Sequence, residues 1–241
     1  MSPVPGGAHR RLKTMTHLEL LDPQKHRRLR LRARGDAAPH FVQIVTGEFA
    51  AAAASCPILF TKEAATGNLF AGAMFGLKPG ESFLQDALNR GGFDPLNLQR
   101  DGFFISGEHI VIDRHNARFS ETEGEPLFDE AQQPSAPLRQ IQLALGQLQA
   151  GIEATNVYIR TLLGLNLVEP IDISLDFAGG ERLALQGLYT VSLDRIGDMD
   201  DAAAIRLFRS GHLQLAYLMS ASLKQLPILA RLRNQRFAGS R

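Results

Sequence analysis

Gly124-Glu125-Pro126-Leu127-Phe128-Asp129-Glu130 divides the chain into two chemically different halves. Before it run short apolar stretches punctuated by Gly, Pro and Asn; after it comes the longest helical pattern in the sequence. Five acids fall between Glu121 and Glu130. Carboxylates favour water and the Leu127-Phe128 pair favours burial, so this stretch reads as an acidic loop pinned over a core by its two apolar side chains.

Downstream, Pro134-Ser135-Ala136-Pro137 sets a helix start, because Ser caps and Pro is tolerated in a first turn. Leu138, Ile141, Leu145, Leu148, Ile152, Ile159 and Leu163 then keep helical spacing on one broad face. The expected helix is about 40 Å long at 1.5 Å per residue. Gly146 and Gly151 weaken it and leave room for close packing. Residues 171–177 and 182–191 alternate about a Gly-rich turn, which predicts a hairpin. Asp198, Asp200 and Asp201 precede residues 202–208 as acids at a helix N-terminus. Residues 211–233 are helical, with Pro227 forcing a kink or restart.

Upstream, residues 17–21 read as a strand stopped by Asp22-Pro23. Residues 24–34 carry Lys25, Arg27, Arg28, Arg30, Arg32 and Arg34 and no acid. As a strand they present Arg28, Arg30, Arg32 and Arg34 on one face and Leu29 and Leu31 on the other. Such a face suits a phosphate, a lipid or an acidic partner; it also suits an edge strand whose charges deter association. Thr46 is positioned to cap a short helix to Ala54, and 57–61, 69–77 and 82–84 read as strand segments between turns. Residues 103–105 and 109–113 form a hairpin about Ser106-Gly107-Glu108.

The expected fold is therefore α+β: an antiparallel β-strand meander packed against the long helix and a C-terminal helical region. A flexible leader over 1–15, a single domain over 16–236 and a tail over 237–241 complete it. At 241 residues, 44% hydrophobic and 21% charged, the chain can bury a substantial core. A net charge of +1 argues against wholesale nucleic-acid binding. One cysteine, Cys56, excludes an internal disulfide or a multi-cysteine zinc site, and its apolar setting reads as a buried structural thiol. No signal-peptide core and no membrane-spanning run is present, so the expected location is the cytoplasm.

Phosphate-loop, dinucleotide, zincin, nucleophile-elbow and EF-hand motifs are absent. His109, Asp113 and His115 share strand parity with the residue types of an iron site, but Asp113-Arg114-His115-Asn116 reads as a turn that ends the parity. No metal or cofactor is expected. The acids of residues 121–130 fit a solvated loop more simply than an acid–base pair. The candidate functional surface comprises Arg28, Arg30, Arg32, Asp113, Glu121, Glu123, Glu125 and Asp129, with no catalytic residue assigned.

The order of motifs resembles the bacterial SapC family. Leu21-Asp22-Pro23 with His26 and Leu29-Arg30-Leu31 come first, then Glu48-Phe49 before Pro57-Ile58. Next come Gly76-Leu77-Lys78-Pro79-Gly80-Glu81, the 124–130 stretch, Leu167-Val168-Glu169-Pro170, and Ser210-Gly211-His212-Leu213 leading into Tyr217. The resemblance covers roughly residues 17–235. The family's name, from a gene associated with a surface layer, implies an envelope connection without a settled mechanism, catalytic residue or cofactor. It implies an acid at Asp113, whereas His109, His115 and Cys56 depart from its pattern. The expected function is an accessory or interaction protein of an envelope-related pathway with an unidentified protein partner and no specific nucleic acid. The alternatives are an enzyme with an unfamiliar site in the 109–130 hairpin and acidic loop, and a surface-layer component exported to the cell surface.

Overall fold

The computed structural model describes residues 17–35, 39–177 and 180–238; the expected leader and residues 239–241 of the tail lie outside these. In chain order come β1 (Leu18–Leu20), β2 (Arg30–Leu31), β3 (Phe41–Gln43), α1 (Phe49–Ala53), β4 (Ile58–Lys62) and β5 (Leu69–Met74). Two short helices follow, α2 (Leu84–Gly91) and α3 (Leu96–Gln99). Then come β6 (Phe103–Ser106), β7 (His109–Asp113), β8 (Phe119–Ser120), β9 (Glu125–Pro126) and the long helix α4 (Ala136–Gly164). The chain ends with β10 (Val168–Asp176), β11 (Arg182–Val191), α5 (Leu193–Gly197), α6 (Asp201–Arg209), α7 (His212–Ser222) and α8 (Leu226–Ala238). Every strand pair is antiparallel and the fold class is α+β, as expected.

The described residues fall into two compact units: a smaller one over 17–35 and 95–150, and a larger one over 39–94, 151–177 and 180–238. In the smaller unit β1-β7-β6 form one three-stranded sheet and β8-β2-β9 another. The β6–β7 hairpin closes through a two-residue turn, Ser106 opposite His109, with Gly107 at φ +61°. Leu29, Leu31, Phe103, Ile112, Phe119, Leu127 and Phe128 form the core with Leu138, Ile141 and Leu145 of α4. Leu127 is 0% and Phe128 6% exposed, so the acidic stretch is indeed pinned by its apolar pair. Gly124 is required there: at φ +96° it lies so close to β2 that a Cβ would come 2.4 Å from the Leu31 carbonyl oxygen.

The larger unit is built on a five-stranded sheet, β10-β11-β4-β5-β3. Tyr158 of α4 packs edge-on to Phe49 and against Phe60 of β4, while Leu226 and Leu229 of α8 join Leu59, Ile173, Phe177 and Leu188 in a second cluster. Ser222 ties α7 to β4: its hydroxyl accepts the Ile58 N–H at 2.8 Å and donates to the Met219 carbonyl at 2.6 Å. Cys56 is fully enclosed, its thiol 3.4 Å from the Ala52 carbonyl oxygen.

Four expectations are corrected. Strand geometry within 24–34 is confined to Arg30–Leu31, because Asp22 Oδ1 accepts the N–H groups of Gln24 and Lys25 and bends the chain into a turn. Leu29 and Leu31 are buried as expected, with Arg28 and Arg32 exposed and Arg30 and Arg34 half-buried. Thr46 does not cap the helix; Glu48 reaches back to accept the Val45 N–H at 2.9 Å. Leu84 opens α2 rather than continuing a strand, and α3 was not foreseen. Ile152 and Leu163 are 51% and 48% exposed: beyond Gly151, α4 buries Ile159 as expected but Thr155, Tyr158 and Leu162 in place of those two. Gly151 has the packing role expected of it, since a Cβ would come 2.5 Å from Val45 Cγ2.

Candidate functional site

In the smaller unit the β1–β7 register sets Leu18 opposite Asp113 and Glu19 opposite Ile112. The turn after Asp22-Pro23 then folds His26 back onto β1, where it is 4% exposed. His26 Nδ1 lies 3.0 Å from both the N–H and the carbonyl oxygen of Asp22, and Nε2 lies 3.0 Å from Glu19 Oε1. With both ring nitrogens engaged inside the turn and on β1, His26 fixes the turn and orients Glu19. Lys25 Nζ pairs directly with Glu19. Arg114, just past β7, lies 3.7 Å from Glu19 and 2.7 Å from Glu121. The Lys25 hydrogen bond, with that of His26 behind it, holds Glu19 below the usual carboxylate range against the opposing effect of its partial burial.

Beside this cluster opens a cavity of about 310 Å³ whose lining includes Arg27, Arg28, Lys25 and Arg114 against only Glu19 and Glu121. The carboxylates are already spoken for by Lys25, His26 and Arg114. Arg27 and Arg28 are exposed and have no hydrogen-bond or ion-pair partner among the described residues. The wall therefore carries cationic charge in excess, at a size that seats a side-chain-sized anion.

Of the eight residues singled out from sequence, Arg28 and Glu121 line this cavity. Arg30 donates to the Gly124 carbonyl at 3.0 Å, and Arg32 pairs with Glu123 at 3.0 Å, so these two arginines hold the acidic loop on β2. Asp113 accepts the His115 N–H at 3.2 Å and Asp129 the Gln133 N–H at 2.8 Å, each closing a local turn. Glu125 is exposed on β9 opposite Leu31. His109 and Asp113 stand at opposite ends of β7, about 13 Å apart at strand rise. His115 instead packs against His17, with ring centroids 4.0 Å apart and the planes tilted by 42°. No group of three potential metal ligands occurs among the described residues.

Sequence reasoning missed Glu19 and Arg114, which meet only through the β1–β7 pairing. A signal existed for His26, since Asp22-Pro23 followed by His at the fourth position from Asp22 is a turn that can close on its own side chain.

A second ionic cluster belongs to the larger unit. Arg233 of α8 is only 7% exposed in its side chain, donating from Nε to Glu81 at 2.9 Å and from Nη1 to Glu181 at 2.8 Å. Its guanidinium lies 4.4 Å from the Phe177 ring centre, and Lys78 pairs with Glu181 from the other side. Arg233 and Lys78 hold the Glu181 carboxyl well below its ordinary value, at about 2. Glu81 of the Gly76–Glu81 motif thereby tethers α8 through Arg233, and Lys78 of the same motif holds the second partner of Arg233, Glu181.

Among curated proteins no match is found, and none among solved structures. The SapC family model matches residues 21–229, a span that contains the Asp22–His26 turn, the cationic segment, the acidic loop and α4. A match over that much of the sequence leaves one conclusion: the chain belongs to the SapC family.

Proposed function

We propose that this SapC-family chain is an interaction protein whose docking site is the cationic cavity of the smaller unit, and whose ligand is an acidic segment of a partner protein. The observation that carries the reading is the pair Arg27 and Arg28, exposed and without a partner among the described residues, beside a cavity whose own carboxylates are neutralised. Removing such charges from water without an anion is costly, so they stay solvated until an acidic group arrives. The burial of His26, with both ring nitrogens engaged by Asp22 and Glu19, supports a binding role over acid–base chemistry at this place. An accessory place in an envelope-related pathway, with cytoplasmic residence, completes the proposal; fractionation of the native cells distinguishes it from export to the surface.

Fluorescence anisotropy with a labelled glutamate-rich peptide tests the site. The expected result is saturable binding that weakens steeply with salt and falls about tenfold or more in Arg27→Glu/Arg28→Glu. Equal binding by the double variant, or none by the wild-type chain at low salt, overturns the reading.

A further inference from the structure

Phe208 is 73% exposed and Ile205 50%, both on α6. Spaced three apart, they lie on one side of the helix, opposite the buried Ala203 and Leu207. Charge along α6 is sorted. Asp200 caps the N-terminus by accepting the Ala203 N–H at 2.8 Å, and Asp201 follows it. Arg206 and Arg209 occupy the last turn, beside the apolar pair. Both arginines are exposed and have no ionic partner among the described residues. The chain then reverses at Gly211, whose φ of +76° is the left-handed conformation such a sharp exit needs, so Phe208 sits at the corner between α6 and α7.

We infer that this corner of α6 is a peripheral contact for an anionic lipid surface. Phe208 and Ile205 enter the interface between headgroups and acyl chains, while Arg206 and Arg209 keep their guanidinium groups among the phosphates. Charge complementarity selects the occupant, because the apolar pair is accompanied by two cations with no ionic partner among the described residues, against the single acid Asp201 one turn before Ile205. A bilayer also needs no preformed cavity to receive a protruding phenyl ring, whereas a folded partner would have to supply one. The site is independent of the cationic cavity of the smaller unit and uses none of its residues.

Co-sedimentation of the full chain with vesicles of phosphatidylcholine, with and without phosphatidylglycerol, tests it. Binding is expected on the phosphatidylglycerol vesicles only, weakening with salt. Arg206→Gln/Arg209→Gln should reduce the partition coefficient about thirtyfold, from roughly fivefold per basic residue at an anionic surface. Ile205→Ser/Phe208→Ser should reduce it about tenfold or more with melting unchanged, since neither side chain is in a core. Arg27→Glu/Arg28→Glu should leave a Phe208-dependent component in place, which separates this site from the cavity. Absence of sedimentation at low salt, equal binding to pure phosphatidylcholine, or wild-type partition by the Ile205/Phe208 variant overturns the inference. So does Phe208-dependent binding to a glutamate-rich peptide without vesicle binding.

Discussion

Glu19 and Arg233 are the centres of two ionic clusters built in opposite senses. In the smaller unit one carboxylate is surrounded by His26, Lys25 and Arg114; in the larger unit one guanidinium is held between Glu81 and Glu181. Arg233 is buried to 7% side-chain exposure and its charge is matched on the spot, with an aromatic ring under its plane. Around Glu19 the charges do not close: Arg27 and Arg28 extend the cationic side into an open cavity. The difference teaches how to sort charged residues in a protein of this kind. A buried charge whose partners are complete spends its interactions on the fold, and cutting one partner strands the others. Charge left over at a cavity mouth contributes little to folding and is free for a ligand.

The largest effect should come from opening the closed cluster. Arg233→Ala is expected to cost about 3 kcal/mol in chemical denaturation, the low end for breaking a buried pair because Glu181 is 40% exposed. A variant with the wild-type transition would show that α8 is held by its apolar contacts alone and would collapse the contrast. Next comes the part of the Glu19 cluster that is closed: His26→Ala should cost about 2 kcal/mol, since it removes a buried ring together with its hydrogen bonds to Asp22 and Glu19. If His26→Ala cost nothing, the whole of that cluster, and not only its arginines, would belong to ligand binding.

Acid should discriminate further. Folding lowers the Glu181 pKa from 4.5 to about 2, so its contribution is fully present above 4.5 and is lost as the pH falls from there toward 2. Glu181→Gln should therefore flatten the pH dependence of the melting temperature in that window and leave its shape near neutrality unchanged. An identical acid limb in the variant would assign the acid sensitivity to other carboxylates. The smallest expected effect on stability is at the cavity mouth: Arg27→Gln/Arg28→Gln should stay within about 0.5 kcal/mol of wild type while losing peptide affinity. Substantial destabilisation there would erase the distinction between closed and open charge.

Much of the architecture was legible because it follows from local rules. The period of the Leu and Ile residues revealed α4, the Ser106-Gly107-Glu108 turn signal revealed the β6–β7 hairpin, and the apolar pair at 127–128 revealed the anchoring of the acidic loop. What escaped depends on partners distant in sequence or on competing local bonds. Parity made residues 24–34 a strand, but an Asp side chain offering two hydrogen bonds to the next turn outweighed it. One apolar stripe was drawn along α4, yet Ile152 and Leu163 are exposed because each half of that helix serves its own unit. The arginine run marked the cationic side of the site from sequence. Its floor did not show, since Glu19 and Arg114 become neighbours only when β1 pairs with β7.

Cys56, the single thiol of the sequence and completely shielded just past the end of α1, gives the molecule a silent background for covalent probes. An alkylating reagent can reach it only when that region opens, so its modification rate is a clock for opening in the larger unit. A cysteine introduced at Arg28 or Phe208 would by contrast react at once. A fluorophore placed there would report its own surface without correction for a second label, and the two proposed surfaces could be followed separately in one protein.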